Sequence, residues 1–205
     1  MIRSNKKKIC IICEGYEEYE YLDSIIKLNV WPGYDIDLKN AESNGSIFTL
    51  YQFYFQNDEY DAILIVADTD RPQYKDFKLI VKKINEFHGV ENFADKILIF
   101  GNPCTMQFIL NHFSETCVNV IYSNKKKNSD LINSLTGVEN YDAHKEQRSA
   151  IFEQINVENY NKMKANIAQC STNYEEISST NFLSFAVNLE SKDYTWIEKI
   201  DEMLN

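Results

Sequence analysis

Three carboxylates stand where apolar runs stop. Glu14 follows Lys7 to Cys13 (KKICIIC), and Asp68 and Asp70 follow Asp61 to Ala67 (DAILIVA). Two residues apart, Asp68 and Asp70 face the same way if strand geometry persists. If the two runs are neighbouring strands, about 4.8 Å apart, the three acids converge at one sheet edge and raise each other's pKa. A hard divalent cation relieves that repulsion. Mg2+ takes oxygen ligands, keeps several waters and typically uses one or two carboxylates with phosphate oxygens of a substrate, and Mn2+ suits the same donors. Glu14, Asp68 and Asp70 are therefore the expected metal ligands. Spacing alone leans slightly to a plainer use, with Asp68-Thr69-Asp70 before Arg71-Pro72 as a turn or helix cap.

The elements that must position these acids alternate along the first part of the chain. KKICIIC is a continuous apolar run, as in a buried parallel strand. Tyr16 to Asn29 follows as a helix, with Tyr19, Leu22, Ile25 and Ile26 on one stripe and acids in its first turn. Tyr34 to Ala41 alternates as a strand, and Ser46 to Phe55 has helical aromatic spacing. Asp61 to Ala67 is the clearest strand. Tyr74 to Phe87 reads as a helix, Lys96 to Phe100 as a strand, and Gly101-Asn102-Pro103 as the turn into a helix over Thr105 to Phe113. After Lys127 only helical periods remain, over Ser129 to Leu135, Ala143 to Ile155, Asn159 to Cys170, Tyr174 to Leu189 and Thr195 to Leu204. The expected fold is α/β: a mainly parallel sheet flanked by helices over residues 1–120, with an all-helical part over 121–205 packed on it. Ligands of such a sheet lie beyond the carboxyl ends of its strands.

Composition narrows the class. In 205 residues, 44% hydrophobic content and few Gly and Pro (6 and 3) exclude general disorder and collagen-like repeats. The apolar runs fall short of the roughly 20 residues of a membrane-spanning helix. The basic start lacks a cleavage signal, so a cytoplasmic protein with no membrane partner is expected. Five scattered cysteines do not form a secreted disulfide framework. Cys10-x-x-Cys13 has no second ligand pair for zinc, and the two read as buried small residues. A net charge of −10 disfavours non-specific attraction to a polyanion. The runs Lys6-Lys7-Lys8 and Lys125-Lys126-Lys127 could still make a local basic patch, solvated surface being their plainer use.

Three motifs in order carry a resemblance. Cys13-Glu14-Gly15-x-x-Glu18-x-x-Tyr21-Leu22 after an apolar strand, Ile65-Val66-Ala67-Asp68-Thr69-Asp70, and Asn102-Pro103-Cys104 leading to His112-Phe113 together resemble the RloB-like proteins of the Toprim superfamily. That superfamily is shared by topoisomerases, bacterial primases and OLD-type nucleases. The likeness spans residues 7–113 and extends loosely to Tyr141 to Lys145, Ala165 to Ala168 and Ser179 to Phe182. It implies a Toprim-like, Rossmann-like core with Asp68 and Asp70 holding Mg2+. Glu14 would be a metal ligand or the acid/base of phosphodiester attack. Gly15 would be the turn that lets backbone approach a phosphate, and Glu18 the second acid of Glu-Gly-x-x-Glu.

Gly15, Glu18, Arg71, Asn102 and His112 are thus expected to bind substrate, although a lone His beside Phe108, Ile109 and Phe113 is usually a core residue. Lys145 is a candidate to steady charge on a scissile phosphate, solvated surface being its plainer use. One departure stands out: Thr105-Met106 replaces a Phe-Glu pair, so the acid of that pair is missing and a second metal is in doubt.

The resemblance implies a Mg2+-dependent nuclease on DNA or RNA in a bacterial phage-defence or restriction-linked system. No G-x-x-x-x-G-K-[ST] loop occurs, so any accompanying ATPase would be a partner on another chain. A homo-oligomer is compatible with the sequence. The alternative is a Toprim-like module without catalysis that binds nucleic acid, nucleotide or protein in a defence complex. A third reading is a generic α/β domain whose Asp-x-Asp is a turn.

Overall fold

The computed structural model describes residues 6–70, 73–121 and 124–204. Strand β1 (Lys7–Cys13) is buried from Ile9 onward, so it is covered on both faces, as its unbroken apolar run requires. Helix α1 (Tyr16–Lys27) buries Tyr21, Leu22 and Ile25 and leads to β2 (Tyr34–Asn40), whose YDIDLKN alternation leaves it half exposed. Helix α2 (Asn44–Asn57) returns the chain to β3 (Ala62–Asp68), buried through Ala67. Helix α3 (Lys75–His88) and the short α4 (Ala94–Ile97) precede β4 (Leu98–Gly101). The expected strand over Lys96 to Phe100 is thus displaced by a helical turn at its start.

The four strands are parallel in the order β2-β1-β3-β4. From β1 the chain moves outward to β2, then crosses to β3 on the opposite side. The crevice between β1 and β3 is therefore a topological switch point, where α/β sheets bind ligands beyond their carboxyl ends. Cys13 pairs with Val66 in the register, so Glu14 and Asp68 leave adjacent strands at that crevice.

The helix expected over Thr105 to Phe113 divides into α5 (Met106–Ile109) and a 3-10 turn (Leu110–His112). Beyond it lie α6 (Lys125–Thr136), α7 (Lys145–Phe152), α8 (Val157–Ile167), α9 (Phe182–Glu190) and α10 (Thr195–Glu202). One cluster of buried residues runs from Ile9 through Ile132, Ile151, Met163 and Phe185 to Ile200, joining these helices to the sheet. No described helix is long and apolar enough to cross a membrane.

The expected helix over Tyr174 to Leu189 forms only from Phe182. Its first part is an irregular strap along the open edge of β4. Thr180 bridges Gly101, its hydroxyl donates to the Phe100 carbonyl at 2.7 Å, and the Asn181 amide binds both Phe100 N–H and the Leu98 carbonyl. Ser, Thr and Asn side chains that offer such bonds compete with helix and here close a sheet edge.

Glycine is indispensable at one place that the motifs do not mark. A Cβ on Gly101 would lie 2.4 Å from the Cys104 carbonyl oxygen, because the turn after β4 folds back over it. Gly15, by contrast, has φ −146°, an ordinary extended value, and a Cβ there would meet only Glu18 Oε2 at 3.4 Å. The sharp turn expected of Gly15 does not require glycine. Gly101→Ala should lower stability by about 1–3 kcal/mol, read as a lowered urea midpoint, while Gly15→Ala should leave it within about 0.5 kcal/mol. Equal losses would contradict this assignment.

Candidate functional site

At the crevice the acids are stitched to the turns that carry them. Glu14 follows β1, and its Oε2 accepts the Asp68 N–H at 2.9 Å. Asp68 ends β3, and its Oδ1 accepts the Thr105 N–H at 2.8 Å, reaching the turn after β4. Glu18, in the first turn of α1, takes the Gly15 N–H on Oε2 at 2.9 Å and the Thr105 hydroxyl on Oε1 at 2.9 Å. Glu17 joins them: its Oε1 is 3.2 Å from the same hydroxyl, and its Oε2 accepts the Tyr141 hydroxyl. Both oxygens of Glu17 and of Glu18 are thus engaged. Glu14 Oε1 and Asp68 Oδ2 accept no hydrogen bond from the described residues.

This crowding holds protons. Burial first, then the charges of Glu18, Asp70 and Asp76, push Glu14 up to about 8 against the Asp68 hydrogen bond. Burial and the Glu18 charge push Glu17 up to about 7, although Tyr141, Thr105 and Arg148 favour its ionised form. Burial also raises Glu18, and burial with the charges of Glu18, Glu14 and Glu17 raises Asp68 well above the usual carboxylate range. Thr105 Oγ1 agrees with this picture. A hydroxyl has one proton, so a proton on Glu17 or Glu18 is what completes both contacts.

Asp70 is placed differently from expectation. Strand β3 ends at Asp68, and Asp70 adopts left-handed backbone (φ 59°) with its N–H on the Pro103 carbonyl. It is not carried on the strand face with Asp68, but its charge still reaches Glu14. Arg71 lies outside the described residues.

Lys145 is exposed at the start of α7, in a groove with Glu20, Asp23 and Phe152, away from the acids. Among the described residues, Arg148, one turn later, is a cation whose field reaches Glu17 and Glu18, and its guanidinium grips Glu20 at 2.8 and 2.9 Å. Two expected substrate contacts are instead internal ties. Asn102 is buried, with its N–H on the Ser179 carbonyl and its amide on the Tyr174 carbonyl. His112 is buried against the Tyr21 hydroxyl at 2.9 Å, and loss of solvation lowers it to about 3, so it stays neutral in the core. Met106 is buried as well, and Gln107 spends its amide on Val118 and Val120.

Beside the acids opens a cavity of about 280 Å³, lined by Glu17, Cys104, Met106, Val120, Lys125 and Tyr141. Lys125 thus stands near the cluster. The other lysine run sits at the amino end of β1, the opposite end of that strand from Glu14, where Lys7 pairs with Asp61 at 2.8 Å and Lys8 lies over Tyr60. The two runs do not make one patch.

Among the described residues no group of three or more His, Cys, Asp or Glu side chains is arranged to hold a metal ion. Cys10 and Cys13 are buried thiols in β1. Glu17, Thr105, Tyr141 and Arg148 are members to which the sequence assigned no role at the site. The Glu17-Glu18 doublet was the available signal, whereas Thr105 and Tyr141 reach the site only through the tertiary fold. No family model, curated protein or solved structure matches this chain.

The raised carboxyls give the site a signature in stability. Each binds its proton more tightly folded than unfolded, so its stabilising share is complete below about 4.5 and is lost as pH rises towards about 8. With divalent cations removed, the urea midpoint should fall across that window. Glu17→Gln should flatten the fall and stabilise the alkaline end by on the order of 1 kcal/mol, allowing for solvent at the open side. A midpoint that stays flat across the window would mean that these groups ionise in the ordinary range, and a rising one that they ionise below it.

Proposed function

We propose that this chain is a divalent-cation-dependent phosphodiesterase acting on DNA or RNA, of the RloB-like Toprim kind, within a bacterial defence or restriction-linked system. One observation carries the reading. The acids ending the two central strands meet at the switch point of the sheet, each with one carboxylate oxygen that accepts no hydrogen bond from the described residues, in a field of negative charge that keeps their pKa values high. Two carboxylates with waters and substrate oxygens are a usual Mg2+ environment, so the donors fit the ion in kind and number. Glu14 and Asp68 are the residues that would hold Mg2+, or Mn2+. Bound there, the ion supplies Lewis acidity toward a phosphate oxygen and acidifies a water.

The chain's own groups do the rest. Glu17 and Glu18, tied by Thr105, Tyr141 and Gly15, fix the first turn of α1 against the turn after β4 and position Asp68 and Glu14. Glu14, held near 8 without the ion, is a group that would give up its proton close to neutral pH as the ion binds. Lys125 supplies positive charge on the neighbouring cavity for a backbone phosphate. A partner ATPase on another chain belongs to the same proposal.

A second reading has its own observation. Met106 is buried where the resemblance places an acid, and with a net charge of −10 the chain suits a binding module without catalysis.

Labelled single- and double-stranded DNA and RNA, incubated with Mg2+ or Mn2+, separate the two. Cleavage that falls about 100-fold or more in Glu14→Gln, and is abolished in Asp68→Asn, supports the enzyme. Cation titration near neutral pH should also release protons, because the ion displaces them from the carboxyls. Nucleic-acid binding that survives both substitutions without cleavage favours the module. Absence of both cation binding and proton release by calorimetry removes the metal from the site and the enzyme reading with it.

A further inference from the structure

Two thiols far apart in sequence are in contact. Cys117 Sγ and Cys170 Sγ lie 3.4 Å apart, across 53 residues of chain. Both are partly exposed, unlike Cys10 and Cys13, which are fully buried in β1. Neither sits in regular structure: Cys117 is in the irregular segment after the 3-10 turn, and Cys170 just follows α8. A disulfide needs the sulfurs at about 2.05 Å, and segments outside helix and strand can supply that approach.

We propose that Cys117 and Cys170 are a modification site, a reversible disulfide formed by peroxide that ties the segment over residues 114–120 to the end of α8. The surroundings support a defined order of events. Burial and the Cys117 thiol push Cys170 up to about 12 against the Gln107 amide, which points at its sulfur from 3.7 Å. The thiol form is thus favoured at Cys170, which serves as the resolving sulfur in the proposed order. The Cys117 thiolate bonds to one peroxide oxygen, the O–O bond breaks, and hydroxide leaves with a proton as water, giving a sulfenic acid. Cys170 sulfur then bonds to that sulfur, the S–O bond breaks, and the departing hydroxide takes up the Cys170 proton as a second water. Two thiols lose two electrons, and one peroxide is reduced to two waters.

The link would act on the cavity beside the acids. Gln107 binds the Val118 carbonyl with its amide nitrogen and the Val120 N–H with its oxygen, at 2.9 Å each, and Val120 lines that cavity with Glu17 and Tyr141. Oxidation thus fastens one wall of the cavity to α8. This consequence does not rest on the phosphodiesterase reading, since it concerns the wall and not the reaction.

The test is a peptide map of the full chain after hydrogen peroxide, with thiols blocked before digestion under non-reducing conditions. The expected result is one cross-linked pair containing Cys117 and Cys170, reversed by dithiothreitol, with Cys10, Cys13 and Cys104 still thiols. The unfolding midpoint should rise on oxidation by roughly 5–10 °C, because the link closes a long loop of the unfolded chain. Cys117→Ser should abolish both effects and Cys104→Ser neither. Sulfinic acid at Cys117 without a cross-link, a different pairing, or five unchanged thiols would overturn the proposal. Should Cys117→Ser fail to fold, Cys170→Ala and the wild-type map give the same decision.

Discussion

The hydrogen bond from the Asp68 N–H to Glu14 ties together the ends of the two central strands, and the arrangement of the crevice follows from it. β1 and β3 are buried on both faces, so their last residues emerge from an apolar interior into a gap that the chain leaves in opposite directions. The N–H groups of turns at such a place need acceptors. Side-chain carboxylates supply them here, at Asp68, Gly15 and Thr105.

That solution concentrates acids whose full ionisation the site resists. Burial and mutual repulsion leave protons on some of the carboxyls. The acids divide into two kinds. Glu17 and Glu18 are saturated by hydrogen bonds and act as struts, while Glu14 and Asp68 each keep an oxygen turned away from the described protein donors. The nearby guanidinium of Arg148 moderates the field without entering the gap, because Glu20 occupies it in a two-point grip.

The C-terminal region bears on the site through the strap before α9. Thr180 and Asn181 complete the edge of β4, and Asn102 is held by Ser179 and Tyr174, so the turn that presents Thr105 to the acids is braced from outside the sheet. Asn102 and His112, which a motif places among binding residues, are buried, with the Asn102 amide nitrogen on the Tyr174 carbonyl and the His112 ring on the Tyr21 hydroxyl. Tyr141 comes from the same region, reaching Glu17 from the segment between α6 and α7.

Much of this was legible in the residues themselves. The uninterrupted apolar runs of β1 and β3, the alternation of β2 and the stripe of α1 are local patterns, and burial of those faces is the force that realises them. For the same reason Glu14 and Asp68 could be placed at strand ends from sequence alone. The strap over residues 171–181 could not, because the bonds its Thr180 and Asn181 side chains make depend on an open strand edge elsewhere in the chain. Asp70 was misplaced by extending strand geometry past the last paired residue. The requirement for glycine at Gly101 arises from a backbone that folds back from Cys104. Sequence by itself determined which segments bury which faces and which acids end them, since hydrophobic periodicity is a local property. Strand order, and with it the meeting of Glu14 with Asp68 and the choice of Thr105, Tyr141 and Arg148 as their neighbours, was decided only in the tertiary structure, because those contacts join residues with no pattern in common.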